Sequence, residues 1–469
     1  MSTDPLLDRD AVGIAAAFHA GDASAAEIAE AALARIAARN PVLNAFTDVT
    51  ADRARARAAA LDAARARKEA LPPLAAAPFA AKNLFDIAGI ATRAGSRINR
   101  DLPPATTDAT LVARMEAAGG LLLGGLNMGE YAYDFTGENA HDGPSRNPHD
   151  TTRMTGGSSG GSGGAVAGGL AAVALGSDTN GSIRVPSSFC GTFGLKPTYG
   201  RLSRGHSFPF VAALDHVGPL ARSVRDLAAG YDAMQGPDAA DPGCARRPAE
   251  PVGAGFEAGI AGLRIARLGG WFAQHRLAES DAAMDLVCSA LGVTTEAALP
   301  EAERARGAAF LITMAEAAEF HLPRLRERPG DFDPAVRDRL IAGALLPAAW
   351  LMTAQRFRRW FADQVGSVFR DHDVLLAPAT PMPAPRLGTQ TVTLDGVEMP
   401  LRPNIGLYTQ PISFIGLPVV AVPVWPAGRG LPIGVQVIAP PWREDLAMRV
   451  AHALEREGIA RAPVAPFGA

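Results

Sequence analysis

The chain has 469 residues, of which 48% are hydrophobic and 20% are charged, a balance typical of a folded globular protein rather than of a disordered one. Its formal net charge of −3 gives no support to nucleic-acid binding, which normally needs a basic face. The N-terminus has no basic flank followed by an apolar run, and no apolar stretch is long enough to span a bilayer, so we expect neither a secretory signal nor a membrane segment.

The first 70 residues or so are rich in alanine and have a helical pattern. Ser24 and Glu27 have the spacing of a capping box, and apolar residues follow at helical intervals. A second helix is predicted over Ala51–Ala70, where arginine alternates with alanine before a Pro-Pro pair ends it. The short apolar run Ala75–Ala81 then predicts a buried strand that leads directly into Lys82.

Strands and helices alternate through the rest of the chain. A helix is predicted over Thr110–Gly119 and a strand over Leu121–Leu123. Further short apolar strands are predicted at Ala171–Leu175, Val374–Ala377, Val419–Val422 and Ile433–Ile438. This alternation predicts an α/β fold in which a mixed, twisted sheet is sandwiched between helices. The sequence has no internal repeat, and Gly236–Gly255 reads only as an exposed connector. We therefore predict a single domain over residues 1–469, with a helical N-terminal region over about residues 1–70.

The most informative stretch is Met154–Pro197, which is dense in glycine. Glycine at this density lets the backbone turn tightly and bring its N–H groups close to a bound group. A phosphate cradle is disfavoured because no Gly-x-x-x-x-Gly-Lys-Ser/Thr run occurs and the glycine spacing of a dinucleotide-binding fingerprint fails. A flexible linker is disfavoured because the glycines run directly into an apolar strand.

Two serines of this stretch, Ser158 and Ser162, fit the Gly-x-Ser-x-Gly pattern of a nucleophile elbow. An elbow needs a hydrophobic strand immediately before it, whereas Pro148–Thr155 is polar and poor in strand signals. Hydrolysis by a Ser–Ser–Lys relay is the better interpretation. A lysine can act as a base only if burial or cationic neighbours depress its pKa, and the apolar residues around Lys82 predict burial. A buried lysine alone would indicate a structural ion pair. Together with the serines of the glycine-rich stretch, however, Lys82 indicates a catalytic base.

Three motifs stand in order along the chain: Lys82-Asn83-Leu84-Phe85-Asp86, the Gly-Gly-Ser-Ser-Gly-Gly run Gly156–Gly161, and the Gly-Ser-Ile-Arg run Gly181–Arg184. Together with the C-terminal segment Gly430–Gln436 they resemble the amidase signature family, and the resemblance covers nearly the whole chain. It implies an amide-cleaving hydrolase that uses neither a metal nor a cofactor.

The resemblance also implies roles for individual residues. Ser182 matches the family's nucleophile, Ser158 its bridging serine and Lys82 its base, and the Gly157–Ser158 peptide bond is expected to be cis. The oxyanion hole would be formed by the main-chain N–H groups of Thr179, Asn180, Gly181 and Ser182. Such donors, aimed at the developing negative charge, are usually the largest catalytic contribution. Many family members carry glycine at the position of Asn180, whose side chain could narrow the site or touch the substrate.

Three further residues are candidates for supporting roles. Asp178 is expected to be a structural acceptor that holds the oxyanion loop. Arg184 could receive a substrate carboxylate through a bidentate contact, or it could form an internal ion pair with Asp178, and both interpretations stay open. Tyr133 could line the substrate pocket, although packing in the core is the ordinary role of such an aromatic residue.

Other segments, among them Glu138–Asp150 and Leu268–Phe272, are similar to one branch of the family, the 1-carboxybiuret hydrolases. This similarity implies a small carboxylated ureide as substrate, from whose terminal amide ammonia is released. It also implies a possible small helical partner subunit in addition to a homodimer or heterotetramer. Two other activities stay open: the glutaminase subunit of a tRNA-dependent amidotransferase, and a broad-specificity amidase.

The three cysteines, Cys190, Cys244 and Cys288, are odd in number and widely spaced, which indicates neither a disulfide framework nor a metal cluster. Such cysteine usage suits the reducing cytoplasm. We therefore expect a cytoplasmic enzyme with a small-molecule amide or ureide substrate, and with no nucleic acid and no membrane among its partners.

Overall fold

The computed structural model of the protein describes residues 5–426 and 430–466, which form fourteen α-helices and fifteen strands. The helices are α1 (Ala11–Ala20), α2 (Ala25–Leu43), α3 (Ala51–Ala66), α4 (Thr110–Ala117), α5 (Gly160–Ala167), α6 (Arg184–Cys190), α7 (Val224–Met234), α8 (Ala278–Ala290), α9 (Ala302–Glu327), α10 (Pro334–Ala344), α11 (Ala348–Asp371), α12 (Leu401–Asn404), α13 (Gln410–Phe414) and α14 (Glu444–Arg456). The strands are β1 (Phe46–Val49), β2 (Pro78–Lys82), β3 (Leu121–Leu126), β4 (Arg146–Asn147), β5 (Asp150–Met154), β6 (Val173–Asp178), β7 (Phe193–Lys196), β8 (His216–Ala221), β9 (Ile265–Leu268), β10 (Glu296–Ala297), β11 (Val374–Pro378), β12 (Thr391–Leu394), β13 (Val397–Pro400), β14 (Val419–Val424) and β15 (Ile433–Ile438).

Eleven of the strands form one sheet in the order β1-β3-β2-β6-β8-β7-β14-β15-β11-β9-β10. The pairs β2–β3, β2–β6, β9–β10 and β9–β11 are parallel and the other neighbours are antiparallel, so the sheet is mixed. Every residue of the central strands β2, β6, β8, β7, β14, β15 and β11 is buried, which requires that both faces of the sheet are covered. The predicted α/β fold, with a mixed sheet between helices, is confirmed.

The N-terminal helices follow from local sequence signals. The Ser24 hydroxyl accepts a hydrogen bond from the Glu27 N–H at 3.1 Å, and the Glu27 carboxylate accepts one from the Ser24 N–H at 2.8 Å. The predicted capping box is therefore confirmed. Helix α3 ends at Ala66 rather than Ala70, because the chain adopts a left-handed conformation at Lys68 (φ +58°) that cannot continue a right-handed helix.

Two strand boundaries decide where the site lies. Strand β2 begins at Pro78 rather than Ala75, because Leu74–Ala77 forms a turn closed by a hydrogen bond from the Ala77 N–H to the Leu74 carbonyl. Strand β6 is longer than predicted and ends at Asp178. Because β2 and β6 are parallel neighbours, their carboxyl ends meet at the same edge of the sheet. Lys82 and the loop after Asp178 are therefore brought together.

Two other expectations need correction. Residues Pro148–Thr155, predicted to be poor in strand, contain β5, which pairs with β4 in a small ribbon outside the main sheet. The polar residues form a strand there because its backbone is paired on both sides, with β4 on one and with Pro385 and Leu387 on the other, where the Met154 N–H donates to the Pro385 carbonyl at 2.9 Å and the Leu387 N–H to the Thr152 carbonyl at 3.0 Å. The predicted connector Gly236–Gly255 has no helix or strand, but it is not fully exposed: Asp241 is buried and accepts hydrogen bonds from the Arg204 guanidinium.

Within residues 5–426 and 430–466, no single helix is both long and apolar enough to cross a membrane. Helices α10 and α11 meet the requirements of length and composition only when they are taken together, and they are bent by 96° at the break between them.

Candidate active site

Lys82 is the last residue of β2 and is fully buried. Its Nζ lies 2.7 Å from the Ser158 Oγ and 2.8 Å from the Ser177 Oγ, and it forms no ion pair with a carboxylate in the described parts of the chain. Burial lowers the pKa of Lys82 to about 7, although the negative charges of Asp215 and Asp178 oppose the effect. A large fraction of Lys82 is therefore neutral near neutral pH, as a base must be.

Ser158 lies in the turn between β5 and α5 and is fully buried. The peptide bond Gly157–Ser158 is cis, as the family resemblance implied. The glycines around it are required by close packing: a Cβ on Gly157 would lie 2.4 Å from the Asp134 Oδ2, and one on Gly160 would lie 2.6 Å from the Thr155 Oγ1. The density of glycine thus lets the loop approach neighbouring side chains while Ser158 stays beside Lys82.

The loop Thr179–Ser182 joins β6 to α6 and is anchored by side chains on three sides. The Thr179 hydroxyl donates to the Asp215 carboxylate at 2.6 Å, and the Asn180 Nδ2 donates to the Thr313 Oγ1 at 2.8 Å. The Thr409 hydroxyl donates to the Asn180 carbonyl at 2.6 Å. These contacts come from residues far away in the sequence, so the loop conformation is set by tertiary packing.

The main chain of this loop presents a row of free donors. None of the N–H groups of Thr179, Asn180, Gly181 and Ser182 donates a hydrogen bond within the described residues. Gly181 has φ +142°, and a Cβ there would lie 2.3 Å from the Thr409 Oγ1, so only glycine fits. Unpaired N–H groups beside a serine are the arrangement that an oxyanion hole needs.

Asp178 and Arg184 form a buried ion pair beneath the loop. The Asp178 carboxylate accepts from the Ile183 N–H at 3.1 Å, and the charge of Arg184 holds the pKa of Asp178 below its ordinary value against the opposing effect of burial. The Arg184 guanidinium makes five hydrogen bonds, two to Asp178 and one each to Thr409, Ser413 and Gln436. All its donors are used, so it has none for a substrate carboxylate, and the contact seen is the internal ion pair.

Ser182 lines a cavity of about 120 Å³, together with Thr179 and Asn180. Tyr133 is on the wall of the same cavity, and the Arg339 guanidinium lies 3.9 Å from its ring centre. Two arginines that the sequence analysis missed, Arg339 and Arg402, line the cavity as well. They stand on α10 and α12, far along the chain from every motif, and no local signal distinguishes them from the other arginines.

Ser177 is a further residue that the sequence analysis missed. It stands on β6 and meets Lys82 because β2 is the neighbouring strand. Ser177 also lines a separate cavity of about 270 Å³ whose walls include Asp215 and His216. The available signal was its position two residues after the predicted strand Ala171–Leu175, in the stretch that leads to the loop with Ser182.

Comparison with known proteins identifies the family of the chain. Residues 27–448 match the family model described as Amidase. The chain is 56% identical to AtzE, a 1-carboxybiuret hydrolase subunit from Pseudomonas sp. (strain ADP), over 94% of this chain and 97% of that protein. It is 39% identical to a glutamyl-tRNA(Gln) amidotransferase subunit from Anaeromyxobacter sp. (strain K), over 94% of this chain and 95% of that one.

One similar solved structure is described as an unexpected vestigial protein complex that reveals the evolutionary origins of an s-triazine catabolic enzyme. It has a TM-score of 0.96 and 55% identity, and the match covers 97% of this chain and all of that one. A crystal structure of an amidase has a TM-score of 0.85 and 31% identity, covering 96% of this chain and all of that one. The fold and the match define an amide-cleaving hydrolase. The chain belongs to the amidase signature family.

Proposed function

We propose that this enzyme hydrolyses a terminal amide of a small carboxylated ureide through a Ser182–Ser158–Lys82 relay. The observation that carries the proposal is the buried Lys82, whose pKa burial lowers to about 7 and whose Nζ lies 2.7 Å from the Ser158 Oγ. A neutral amine in contact with a hydroxyl can accept its proton, as a relay of this kind requires.

In the proposed reaction, Lys82 takes the proton of Ser158 while Ser158 takes that of Ser182. The Ser182 Oγ then bonds to the amide carbon, and the carbonyl electrons move to the oxygen, which the Thr179–Ser182 N–H groups stabilise. When the C–N bond breaks, the relay returns the proton to nitrogen and ammonia leaves. Water, deprotonated by the same relay, hydrolyses the acyl ester and restores Ser182.

The Ser182 hydroxyl makes no hydrogen bond to any residue in the described ranges, so its contact with Ser158 belongs to the substrate-bound state in this proposal. Catalytic hydrogen bonds often tighten only when the substrate is in place. The small volume of the cavity, about 120 Å³ against roughly 300–1,000 Å³ for sites that take drug-sized ligands, supports a small substrate.

The charges on the cavity wall support an anionic substrate. Arg402 pairs with Asp134 and lies 3.5 Å from the Glu138 carboxylate. Within the described residues, Arg339 is bonded only to neutral groups, the carbonyls of Ala335 and Tyr133, so its charge is not neutralised by a direct partner. Burial lowers the pKa of Arg339, and a bound anion would stabilise its charged form. We therefore assign the substrate carboxylate to Arg339.

The substrate class is tested by ammonia release from a panel of carboxybiuret, biuret, allophanate, malonamate, glutamine and aryl amides. We expect the highest kcat/KM with carboxylated ureides, no activity in Ser182→Ala, and a Ser182 acyl adduct in mass spectra of quenched reactions. Strong activity on aryl amides with none on carboxylated ureides would overturn the substrate assignment. Turnover of glutamine only with a partner and ATP would favour the amidotransferase alternative.

We also propose that two copies of the chain associate through α10 and α11. Five large apolar side chains are exposed on these helices and the turn between them: Ile341, Leu345, Trp350, Met352 and Trp360. An apolar face of this kind on each copy can be covered by the same face of the other copy, in a two-fold interface. The cytoplasmic location and the small helical partner subunit stay predictions.

Sedimentation of the purified chain tests the association. The wild type is expected to be a dimer, and Leu345→Lys with Trp350→Lys is expected to be a folded monomer. A wild-type monomer that binds phosphatidylcholine vesicles instead would show that a lipid surface, not a second copy, covers this face.

A further inference from the structure

Gln410 is an unexplained polar residue in the wall of the Ser182 cavity. Its side chain is fully buried, and its Nε2 has no hydrogen-bond partner among the described residues. A buried N–H donor without a partner is costly, because it has lost its water and gained nothing in exchange. Such a group in the wall of a substrate cavity points to a ligand acceptor that completes it.

The orientation of this amide is fixed by Arg306. The Arg306 Nε donates to the Gln410 Oε1 at 2.9 Å, and a guanidinium has only donors, so the oxygen of the amide must face it. Arg306 is itself held, because its Nη2 donates to the Pro403 carbonyl at 2.8 Å and to the Asn404 Oδ1 at 2.9 Å. The NH₂ group of Gln410 is therefore the part of this cavity-lining side chain that has no partner among the described residues.

Asn180 supplies the complementary group. Its Nδ2 donates to Thr313, which leaves the buried Oδ1 without a partner among the described residues. The two amides are tied together, since Thr409, the residue before Gln410, donates to the Asn180 carbonyl. One cavity thus offers an unused donor from Gln410 and an unused acceptor from Asn180, beside Ser182.

Resting on the proposed function, we infer that Gln410 and Asn180 read the internal C=O and N–H groups of the ureide, and that Arg306 is the positioning residue for Gln410. The Gln410 NH₂ donates to the internal carbonyl, and the Asn180 Oδ1 accepts from an internal N–H. An analogue of equal length without these groups leaves both amides unpaired in the complex, and sites built in this way discriminate strongly against such analogues.

The matched pair of substrates is carboxybiuret and glutaramate, which have the same number of chain atoms between carboxylate and terminal amide. Glutaramate has methylenes where carboxybiuret has N–H and C=O. In Gln410→Met, which keeps the shape of the side chain, the ratio of kcat/KM for carboxybiuret to that for glutaramate is expected to fall about 10- to 100-fold, chiefly through KM. Gln390→Met, at an exposed glutamine whose Nε2 contacts the Gly388 carbonyl, is the control and is expected to leave the ratio unchanged.

Arg306 provides an independent test. Arg306→Met frees the Gln410 amide to rotate and is expected to lower the same ratio, whereas Arg306→Lys, which keeps a donor beside the Gln410 Oε1, is expected to restore most of it. An equal loss on both substrates in Gln410→Met would mean that Gln410 only supports the fold and would overturn the inference. Should Gln410→Met be insoluble, Arg306→Met decides the question: an unchanged ratio of kcat/KM for carboxybiuret to that for glutaramate in Arg306→Met would also overturn the inference. A wild type that cleaves neither substrate would refute the proposed function instead.

Discussion

Replacing Lys82 by methionine is expected to lower the turnover of the enzyme and to raise its stability near neutral pH, so one variant tests both roles of this lysine. Methionine fills nearly the same volume without a titratable group, so the relay loses its base while the core stays packed. General-base catalysis contributes about 100- to 10,000-fold, and kcat is expected to fall by at least that much. In the wild type, kcat/KM is expected to rise with pH through an apparent pKa near 7, because only neutral Lys82 accepts a proton.

Whereas Lys82→Met is expected to lower kcat, it is expected to raise the free energy of unfolding near neutral pH. The pKa of Lys82 falls from 10.5 in the unfolded chain to about 7 in the folded one, which at about 1.4 kcal/mol per pH unit corresponds to about 5 kcal/mol. Between these pH values the unfolded state binds more protons, so wild-type stability rises with pH across the window, and below pH 7 the full cost is present. Methionine removes that cost but leaves the Ser158 and Ser177 hydroxyls without a partner, at about 1–2 kcal/mol each.

The net expectation is that Lys82→Met is more stable than the wild type by about 1–3 kcal/mol at pH 6. By pH 10 the wild type has lost most of the cost of its buried lysine, so the sign is expected to reverse and the variant to be the less stable protein. Urea unfolding at several pH values and ammonia-release kinetics measure the two effects. Lys196→Met is the matched control: Lys196 is also fully buried, with its pKa well below the ordinary value, but it bonds the Leu417 carbonyl away from the serines. Its turnover is expected to stay near that of the wild type. Near-wild-type turnover in Lys82→Met, or a flat pH profile from 6 to 9, would refute the reasoning.

Three further changes have defined outcomes. Gly181→Ala brings a Cβ to 2.3 Å from the Thr409 Oγ1 and is expected to lower kcat about 100- to 1,000-fold by displacing the oxyanion donors. Gly307→Ala is the control, because a Cβ there enters open space. A kcat of Gly181→Ala within about threefold of the wild type would contradict the prediction. Ser177→Ala removes a hydrogen bond to Lys82 and is expected to lower kcat about tenfold with KM unchanged, which steady-state kinetics measure. Arg184→Met leaves Asp178 buried and unpaired, so urea unfolding is expected to show that the free energy of unfolding falls by about 3–5 kcal/mol. Adding Asp178→Asn is expected to recover part of this stability. A variant with wild-type stability and a raised KM only for carboxylated substrates would instead mean that Arg184 binds the substrate.

The local sequence was enough for much of the fold. Alternation of apolar runs and helical patterns predicted the mixed sheet between helices, and the Ser24–Glu27 spacing predicted a helix start that the structure confirms. Boundaries were less predictable, because they depend on distant contacts. Strand β6 continues to Asp178 since β8 pairs with it residue by residue, and a ribbon forms over Asp150–Met154 because β4 lies beside it.

The residues of the site also fall into two groups, those that the local sequence identifies and those that depend on distant contacts. The motif residues Lys82, Ser158 and Ser182 stand out in the sequence by their glycine-rich and apolar surroundings, and by their resemblance to one enzyme family. That resemblance by itself left open whether Arg184 binds substrate or pairs with Asp178. Only the folded chain shows all five donors of Arg184 in use, because Thr409, Ser413 and Gln436 come from more than 200 residues away.

The sequence by itself therefore determined the class of fold, the family and the residues of the proposed relay, since those depend on periodicity and on motifs read along the chain. The tertiary structure alone decided that Lys82 also contacts the Ser177 hydroxyl, and that Arg339, Arg402 and Gln410 line the cavity of Ser182. The physical reason is that a pKa and a binding pocket depend on what surrounds a group in space, and those neighbours come from strands and helices distant in the sequence.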